Sequence, residues 1–208
     1  MERIEYRVRP VLWSKEQHWV LTDDALSLSE APLRDGQPVS RAQSYRLPLS
    51  AIHRLRLIYA PGRYESDRFE CEILGECEGR PFKRRVASHH VRGLADFVHQ
   101  GPSYAPFVRA LCQRAAAQNP GLRVLSGYSP LSYYLGLAVL LVVIAGFSAF
   151  VFFEWERLWR LPRTPGRLFM LSVLLAFLFL IYRRNRPRVL SPDALPDELL
   201  PKTPISKS

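Results

Sequence analysis

The chain has few residues of the kinds that build catalytic or metal sites. Its 208 residues include three cysteines and five histidines, and they contain no G-x-S-x-G sequence and no phosphate-binding glycine loop. An enzyme is therefore the least favoured class, and we predict no catalytic residue, no cofactor and no metal. The first residues, MERIEYRVRP, lack an apolar segment, so we also expect no signal peptide.

The cysteines and histidines form no ligand pattern. Five residues separate Cys71 from Cys77 across a strand and its turn, which is looser than the roughly two to four intervening residues of structural zinc sites. His89 and His90 are adjacent, and neighbouring residues on a strand point to opposite faces. We interpret the cysteines, Cys112 included, as buried thiols and the histidines as loop or surface residues. A metal site or a general base is the alternative.

Charge is absent from one long segment. LSYYLGLAVLLVVIAGFSAFVFF, residues 131 to 153, has no charged residue over 23 positions. A helix of that length measures about 34 Å and crosses a hydrocarbon core of about 30 Å. The segment predicts a transmembrane helix.

A second apolar run, LFMLSVLLAFLFLIY, covers residues 168 to 182 and is short enough to fit a buried core helix or a re-entrant segment as well. Thr164 and Pro165 are typical of an N-cap and a first helical residue, so the helix extends over 165–182, about 27 Å. We predict a second span, and a two-helix transmembrane hairpin over 128–183. Its few polar residues indicate an anchor rather than a channel, with Ala145 and Ala149 as a small-residue helix contact.

Arginines flank both predicted spans and indicate their orientation. Six on the outer flanks against four in the connecting loop favour a cytoplasmic location for both termini, because cytoplasmic flanks of membrane helices carry more Lys and Arg. The flanks hold Arg114, Arg123, Arg183, Arg184, Arg186 and Arg188, and the loop holds Arg157, Arg160, Arg163 and Arg167. We expect a multi-pass protein of a bacterial inner membrane. The net charge of +10 divides equally at Gly127, which weakens a nucleic-acid interpretation.

Residues 1 to 127 alternate short apolar runs with turn signals and predict a strand-rich soluble domain. In Ile52 to Tyr59, the set His53, Leu55, Leu57 and Tyr59 is the expected core face. From Tyr104 onward the apolar residues recur at helical rather than strand spacing, and this pattern ends at Asn119-Pro120-Gly121. The predicted strands are 18–21, 25–29, 45–49, 52–59 and a hairpin from Phe69 to Ala87 that reverses within 75–81, and the helical stripe is Tyr104, Phe107, Val108, Leu111, Cys112 and Ala115.

This order of elements resembles bacterial PH-like-domain membrane proteins over residues 14 to 183. WVLTDDALSLSE, the run YRLPLSAIHRLRLIY, a hairpin, a terminal helix and paired membrane helices carry the resemblance. It implies an α+β fold in which a small PH-like β-barrel or sandwich, capped by one helix, precedes a transmembrane hairpin. It also implies that Thr22-Asp23-Asp24 corresponds to the first hairpin loop of phosphoinositide-binding PH domains. That loop is acidic here, so the phosphoinositide ligand does not carry over.

Two further segments leave alternatives open. The Pro-rich tail, residues 184–208, is either an extended exposed tail or a segment whose Leu190, Leu195, Leu199 and Leu200 dock on a partner or on the domain itself. The basic triplet Lys83 to Arg85 either contacts anionic lipid headgroups or pairs with Glu70 and Glu72 across a strand ladder. The candidate headgroup contacts are Lys83, Arg84, Arg85, Arg183, Arg184, Arg186 and Arg188.

From these observations we expect a membrane-anchored, non-enzymatic binding or assembly module. Its soluble domain would engage a membrane-protein partner or a second copy of the chain. Sensing of anionic membrane lipids is the alternative function.

Overall fold

The computed structural model describes residues 3–31, 33–34, 37–38, 43–61, 67–93, 96–153 and 164–201. The chain divides into two compact units. The β unit combines residues 1–126 with residues 188–208, and the helical unit consists of residues 127–187. The predicted α+β class is therefore confirmed. The loop that connects the two predicted spans lies outside the described residues, and it contains Trp155, Arg157, Trp159, Arg160 and Arg163.

Two sheets form most of the β unit. The first is antiparallel in the order β1-β2-β3-β6, and the second has the order β13-β12-β7-β8-β9, antiparallel except between β12 and β7. Two small hairpins, β4-β5 and β10-β11, accompany them. The strands are β1 (Ile4–Val8), β2 (Glu16–Leu21), β3 (Ala25–Ala31), β4 (Leu33–Arg34), β5 (Gln37–Pro38), β6 (Gln43–Pro48), β7 (Ile52–Tyr59), β8 (Phe69–Cys77), β9 (Arg80–Ala87), β10 (His89–Gly93), β11 (Asp96–His99), β12 (Arg123–Ser126) and β13 (Arg188–Leu190).

Helix α1 (Gly101–Gln118) packs its apolar stripe into the core between these strands. All six predicted stripe residues are buried, which confirms the helical period: Tyr104, Phe107, Val108, Leu111, Cys112 and Ala115. Tyr6 of β1 stacks on Phe107 with ring centroids 5.4 Å apart, and its hydroxyl donates to the carbonyl oxygen of Ala87 at 2.6 Å. At about 1.5–3 kcal/mol for each large apolar side chain, this burial stabilises the unit.

The core face of β7 differs from the predicted one at its start. Leu55 and Leu57 are buried as expected, but His53 is exposed and Ile52 is fully buried. The pairing of β7 with β8 shifts register between Ile52 and Arg54. A bulge of this kind turns the preceding side chain to the other face, and strict alternation cannot anticipate it.

The Pro-rich tail packs on the β unit, so the exposed-tail alternative is wrong for its described part. Leu195 and Leu200 belong to the hydrophobic core, and Leu190 and Leu199 pack against it. The 3₁₀ turn Asp197–Leu199 precedes Leu200. The predicted domain boundary after residue 183 therefore misses the return of the chain to its first unit.

The helical unit contains α2 (Pro130–Phe153) and α3 (Thr164–Arg184). Among the described residues, one segment, Pro130–Phe150, is long and apolar enough to cross a membrane by length and composition. The helices approach closely at Gly136, where an added Cβ would lie 2.0 Å from the Tyr182 hydroxyl. Ala145 and Ala149 are exposed, so they do not form the contact between α2 and α3, and a helix contact through them stays a prediction.

Candidate functional site

Both connections to the helical unit leave the β unit from one end of one sheet. Ser126 closes β12 and pairs with Arg188, the first residue of β13. Ser126 also pairs with Leu57 of β7, and Tyr59 pairs with Phe69 of β8. We call this the connection end of the β unit. The Thr22-Asp23-Asp24 loop lies at the opposite end, because Leu49, just before β7, donates its N–H to the Asp24 carbonyl at 2.9 Å.

A close backbone contact joins the two ends of the helical unit. The Tyr128 N–H donates to the carbonyl oxygen of Asn185 at 3.1 Å. Asn185 is buried, and its side chain donates to the Ile181 carbonyl oxygen at 3.2 Å. The ring of Tyr182 lies 6.2 Å from that of Tyr128. The two chain segments that flank the helices are thus held together within the unit itself.

Lys83 and Arg85 of the predicted basic triplet bind carboxylates of β8. Glu72 lies opposite Arg85 in the ladder and is 3% exposed. Its Oε1 accepts from Lys83 Nζ at 3.1 Å and from Arg85 Nη2 at 3.2 Å, and Arg85 Nη1 lies 3.5 Å from Glu70 Oε2. Burial raises the pKa of Glu72, but the hydrogen bond and charge of Lys83, with the charge of Arg85, outweigh burial and lower it.

Arg84 points away from this cluster, as alternation along β9 requires. Its Nε donates to Glu30 Oε1 at 3.1 Å, and its guanidinium lies over the rings of Tyr45 and Phe82, 5.3 Å and 5.9 Å from their centroids. The three side chains do not form one basic patch. Arg84 links β9 to the strands β3 and β6 of the first sheet, which makes it a packing residue.

The outer face of the second sheet carries more positive charge than the triplet alone. Arg68 pairs with Glu70 at 2.9 Å, and Arg56 approaches Glu72 at 3.9 Å. Arg123 and Arg54 are neighbours in the next row of the ladder, and neither has an ion pair within the part of the chain that the structure describes. Four cations therefore share Glu70 and Glu72, while Arg54 and Arg123 add charge beside them.

The four predicted arginines at the end of α3 and just beyond it are exposed. Arg183, Arg184 and Arg186 belong to the helical unit, whereas Arg188 opens β13 in the β unit. The structure thus divides the predicted headgroup contacts between two units. Lys83 and Arg85, with side chains 61% and 54% exposed, remain accessible despite their pairing.

Cys71, Cys112 and His89 are buried, whereas Cys77 is only partly buried, so the prediction of a buried thiol is wrong at Cys77. Burial raises the pKa of the Cys71 thiol well above its ordinary value and that of Cys112 to about 12. Burial, helped by the nearby His99, lowers the pKa of His89 to about 4, and Ser88 Oγ lies 3.0 Å from its Nδ1. His89 is thus a buried residue rather than the predicted surface one. No group of three or more His, Cys, Asp or Glu side chains, among the described residues, is arranged to hold a metal.

The sequence interpretation missed the turn that connects β1 to β2. Strand β1 has no counterpart among the predicted strands, and the first loop of the structure contains Pro10 to Ser14 rather than Thr22-Asp23-Asp24. Trp13 in this loop is 87% exposed. An aromatic residue flanked by Arg9 and Lys15 was the available signal, but Trp19, six positions later, is fully buried. The residue type alone could not show that Trp13 is exposed and Trp19 is buried.

Comparison with known proteins gives a distant structural likeness. No protein-family model matches the chain, and no curated protein matches it. A solved structure of the hSac2 domain from the human phosphoinositide phosphatase Sac2 is similar, with 11% sequence identity and a TM-score of 0.43. The match covers 62% of this chain and 77% of that one. A likeness at this level establishes neither fold nor function for the present chain.

Proposed function

We propose that the chain is a membrane-anchored, non-enzymatic binding or assembly module. Its β unit is a PH-like domain held at a membrane surface by a transmembrane hairpin of α2 and α3. The sheet order β1-β2-β3-β6, the antiparallel run β7-β8-β9 and the following α1 support the PH-like interpretation. The partner is a membrane protein or a second copy of the chain.

The pairing of β12 with β13 is the observation that carries this proposal. Val124 pairs with Leu190, and Ser126 pairs with Arg188, although the whole helical unit lies between these residues in the sequence. Two strands of one sheet must lie on the same side of a membrane. If α2 crosses it, the chain must cross again before Arg188, and α3 is the remaining apolar helix. The strand pairing therefore favours an even number of crossings.

The surface of α3 supports the same conclusion. Phe169, Phe177 and Leu180 are each about half exposed or more, and α2 likewise exposes Leu135 and Phe152. Exposing apolar surface of this extent to water costs about 25 cal/mol per Å², and contact with lipid removes that cost. Two helices with apolar outer faces fit a hairpin in a bilayer.

Labelling of engineered cysteines tests the topology. In a Cys77→Ser background, Glu156→Cys in the connecting loop and Ser206→Cys in the tail are treated with a membrane-impermeant maleimide in right-side-out and inverted vesicles. We expect the two sites to react in opposite vesicle preparations, with Ser206→Cys on the cytoplasmic side because more arginines flank that side. Reaction of both sites from the same side would refute the hairpin.

Crosslinking in native membranes tests the partner. A photo-crosslinker at exposed positions of the β unit, followed by mass spectrometry, should recover one membrane protein or a dimer of the chain. Crosslinks confined to lipid, with the same chain monomeric after purification, would argue against an assembly role.

Sensing of anionic lipid is the second candidate, and the outer face of β7-β8-β9 favours it. Lys83 and Arg85 are accessible, and Arg54 and Arg123 supply charge that Glu70 and Glu72 do not neutralise. The paired substitution Arg54→Ser and Arg123→Ser should reduce crosslinking to anionic lipid in nanodiscs about 30-fold, since each of the two basic residues near the surface contributes about 1 kcal/mol. Arg84→Ser, which alters a packing residue, is the matched control.

A further inference from the structure

The loop between β1 and β2 presents one tryptophan on a closed turn. Ser14 donates its N–H to the Val11 carbonyl oxygen at 3.0 Å and its hydroxyl to the same oxygen at 2.7 Å. The Val11 N–H reaches Ser14 Oγ at 3.2 Å, and the Arg9 guanidinium donates to the Leu12 carbonyl oxygen. Four hydrogen bonds thus fix a turn whose tip is Trp13. A preorganised aromatic side chain loses little conformational entropy on binding.

This turn lies at the connection end of the β unit. Arg68, the residue before β8, donates from Nη2 to the Pro10 carbonyl oxygen at 3.3 Å. The N–H of Val91 in β10 donates to the Arg9 carbonyl oxygen at 2.9 Å. Phe69 pairs with Tyr59, beyond the row in which Leu57 pairs with Ser126. The exposed tryptophan is therefore at the same end from which the chain runs into α2 and returns from α3.

Large apolar side chains are otherwise scarce on the surface of the β unit. Among its described residues, Trp13 and Val189 are the large hydrophobic side chains with high exposure, at 87% and 80%. Val189 lies in β13, which also begins at the connection end. Trp prefers the headgroup region of a bilayer, where its ring is in an apolar layer and its indole N–H remains hydrated. Lys15, an exposed basic residue of the same loop, favours the anionic headgroups.

We propose that the Trp13 turn is an interfacial anchor that inserts into the headgroup layer of the bilayer holding α2. This inference rests on the proposed membrane anchoring. The anchor fixes the connection end of the β unit against the membrane and leaves the acidic Thr22-Asp23-Asp24 end facing the aqueous side. Contact is made by an aromatic ring at the interface, and it does not require a specific headgroup.

Depth-dependent quenching of tryptophan tests the anchor. The full chain, with Trp155→Phe and Trp159→Phe, is placed in phosphatidylcholine–phosphatidylglycerol nanodiscs that contain lipid brominated near the headgroup. The emission lost on adding Trp13→Phe is that of Trp13, because Trp19 is fully buried and constant. We expect about twofold quenching of this component by the brominated lipid, together with protection from aqueous acrylamide.

Two matched variants make the outcome decisive. Arg80→Trp in the Trp13→Phe background puts an exposed tryptophan at the opposite end of the sheet, and its emission should respond to acrylamide and not to brominated lipid. Leu141→Trp in α2 should be quenched by lipid brominated deep in the acyl chain.

Quenching of Leu141→Trp without quenching of Trp13 would overturn the anchor and leave membrane anchoring intact. Failure of Leu141→Trp to be quenched would overturn both. Protection of Trp13 in native membranes but not in nanodiscs would assign the turn to a protein partner and overturn lipid insertion.

Discussion

Gly127 lies against the backbone of Asn185, so closely that a Cβ on Gly127 would be 2.2 Å from the Asn185 carbonyl oxygen. Gly127 has φ +75°, a left-handed conformation that side chains with a Cβ rarely adopt. The first residue of the helical unit and the end of α3 therefore meet at a position that only glycine fits. This contact holds together the two chain segments that flank α2 and α3.

Gly127→Ala should destabilise the chain by more than about 2 kcal/mol, because backbone strain adds to a clash that no side-chain movement relieves. Gly79→Ala is the matched control, since Gly79 has φ +71° but nothing within 4 Å of an added Cβ. It should cost about 1 kcal/mol from strain alone. Thermal unfolding of both variants in detergent micelles measures the difference. Equal losses would show that the contact with Asn185 has no energetic role.

Leu200→Ala should loosen the docked tail. Leu200 is buried in the core of the β unit, and truncation of a buried leucine costs about 2–5 kcal/mol. Val189→Ala, at an exposed position of β13, removes apolar atoms from the same tail without opening the core and should change stability by less than about 0.5 kcal/mol. Limited proteolysis should cut the Leu200→Ala tail faster. Equal cleavage of the two variants would contradict docking.

Glu72→Gln should destabilise the β unit at neutral pH, because the carboxylate is buried beside Arg56, Lys83 and Arg85. Loss of its charge should cost about 1–2 kcal/mol, a value limited by the solvent exposure of Lys83 and Arg85. Glu72 has a folded pKa below 4.5, so its contribution is present above pH 4.5 and is lost as the pH falls through the folded pKa.

Denaturant unfolding at pH 7 and at pH 3 checks this dependence. The difference in unfolding free energy between wild type and Glu72→Gln should disappear at the lower pH. Glu76→Gln, on the exposed end of β8, should match wild type at both pH values. A gap that persists undiminished at pH 3 would show that the effect comes from packing rather than charge.

Local pattern predicted the regular part of the fold. The stripe from Tyr104 to Ala115 has a helical period of its own, and the apolar run of α2 is defined by composition, so neither depends on distant residues. Strand β13 has three residues between prolines and exists because β12 lies beside it. Its partner is more than 60 residues away along the chain, and no local signal could identify that pairing.

The alternation of side chains along β8 was predicted correctly, but the surroundings of Glu70 and Glu72 were not. Glu70 and Glu72 do lie on the face opposite the core, yet both are buried, because Arg56 and Arg68 reach them from neighbouring positions. Trp13 was not predicted, since exposure depends on the turn that Ser14 closes. Alternation along the strand therefore placed Glu70 and Glu72 on the outer face, while long-range packing decided which side chains are accessible.

His89 should make the β unit less stable between pH 6.5 and pH 4. Burial and the neighbouring His99, with ring centroids 4.9 Å apart, lower the folded pKa of His89 to about 4. Arg68 acts in the same direction and Asp67 opposes it. The unfolded chain then binds a proton that the folded chain does not. The free energy of unfolding therefore decreases as the pH is lowered from 6.5 to 4, by up to about 3 kcal/mol.

Denaturant unfolding across this window, with two histidine variants, measures the contribution of His89. His89→Asn retains a polar group beside Ser88 and does not titrate, so its unfolding free energy should change less between pH 6.5 and pH 4 than that of the wild type. His53→Asn, at an exposed position of β7, should retain the wild-type slope. The same slope in all three proteins would show that the acid sensitivity arises elsewhere, because the imidazole of His89 would then have been removed without effect.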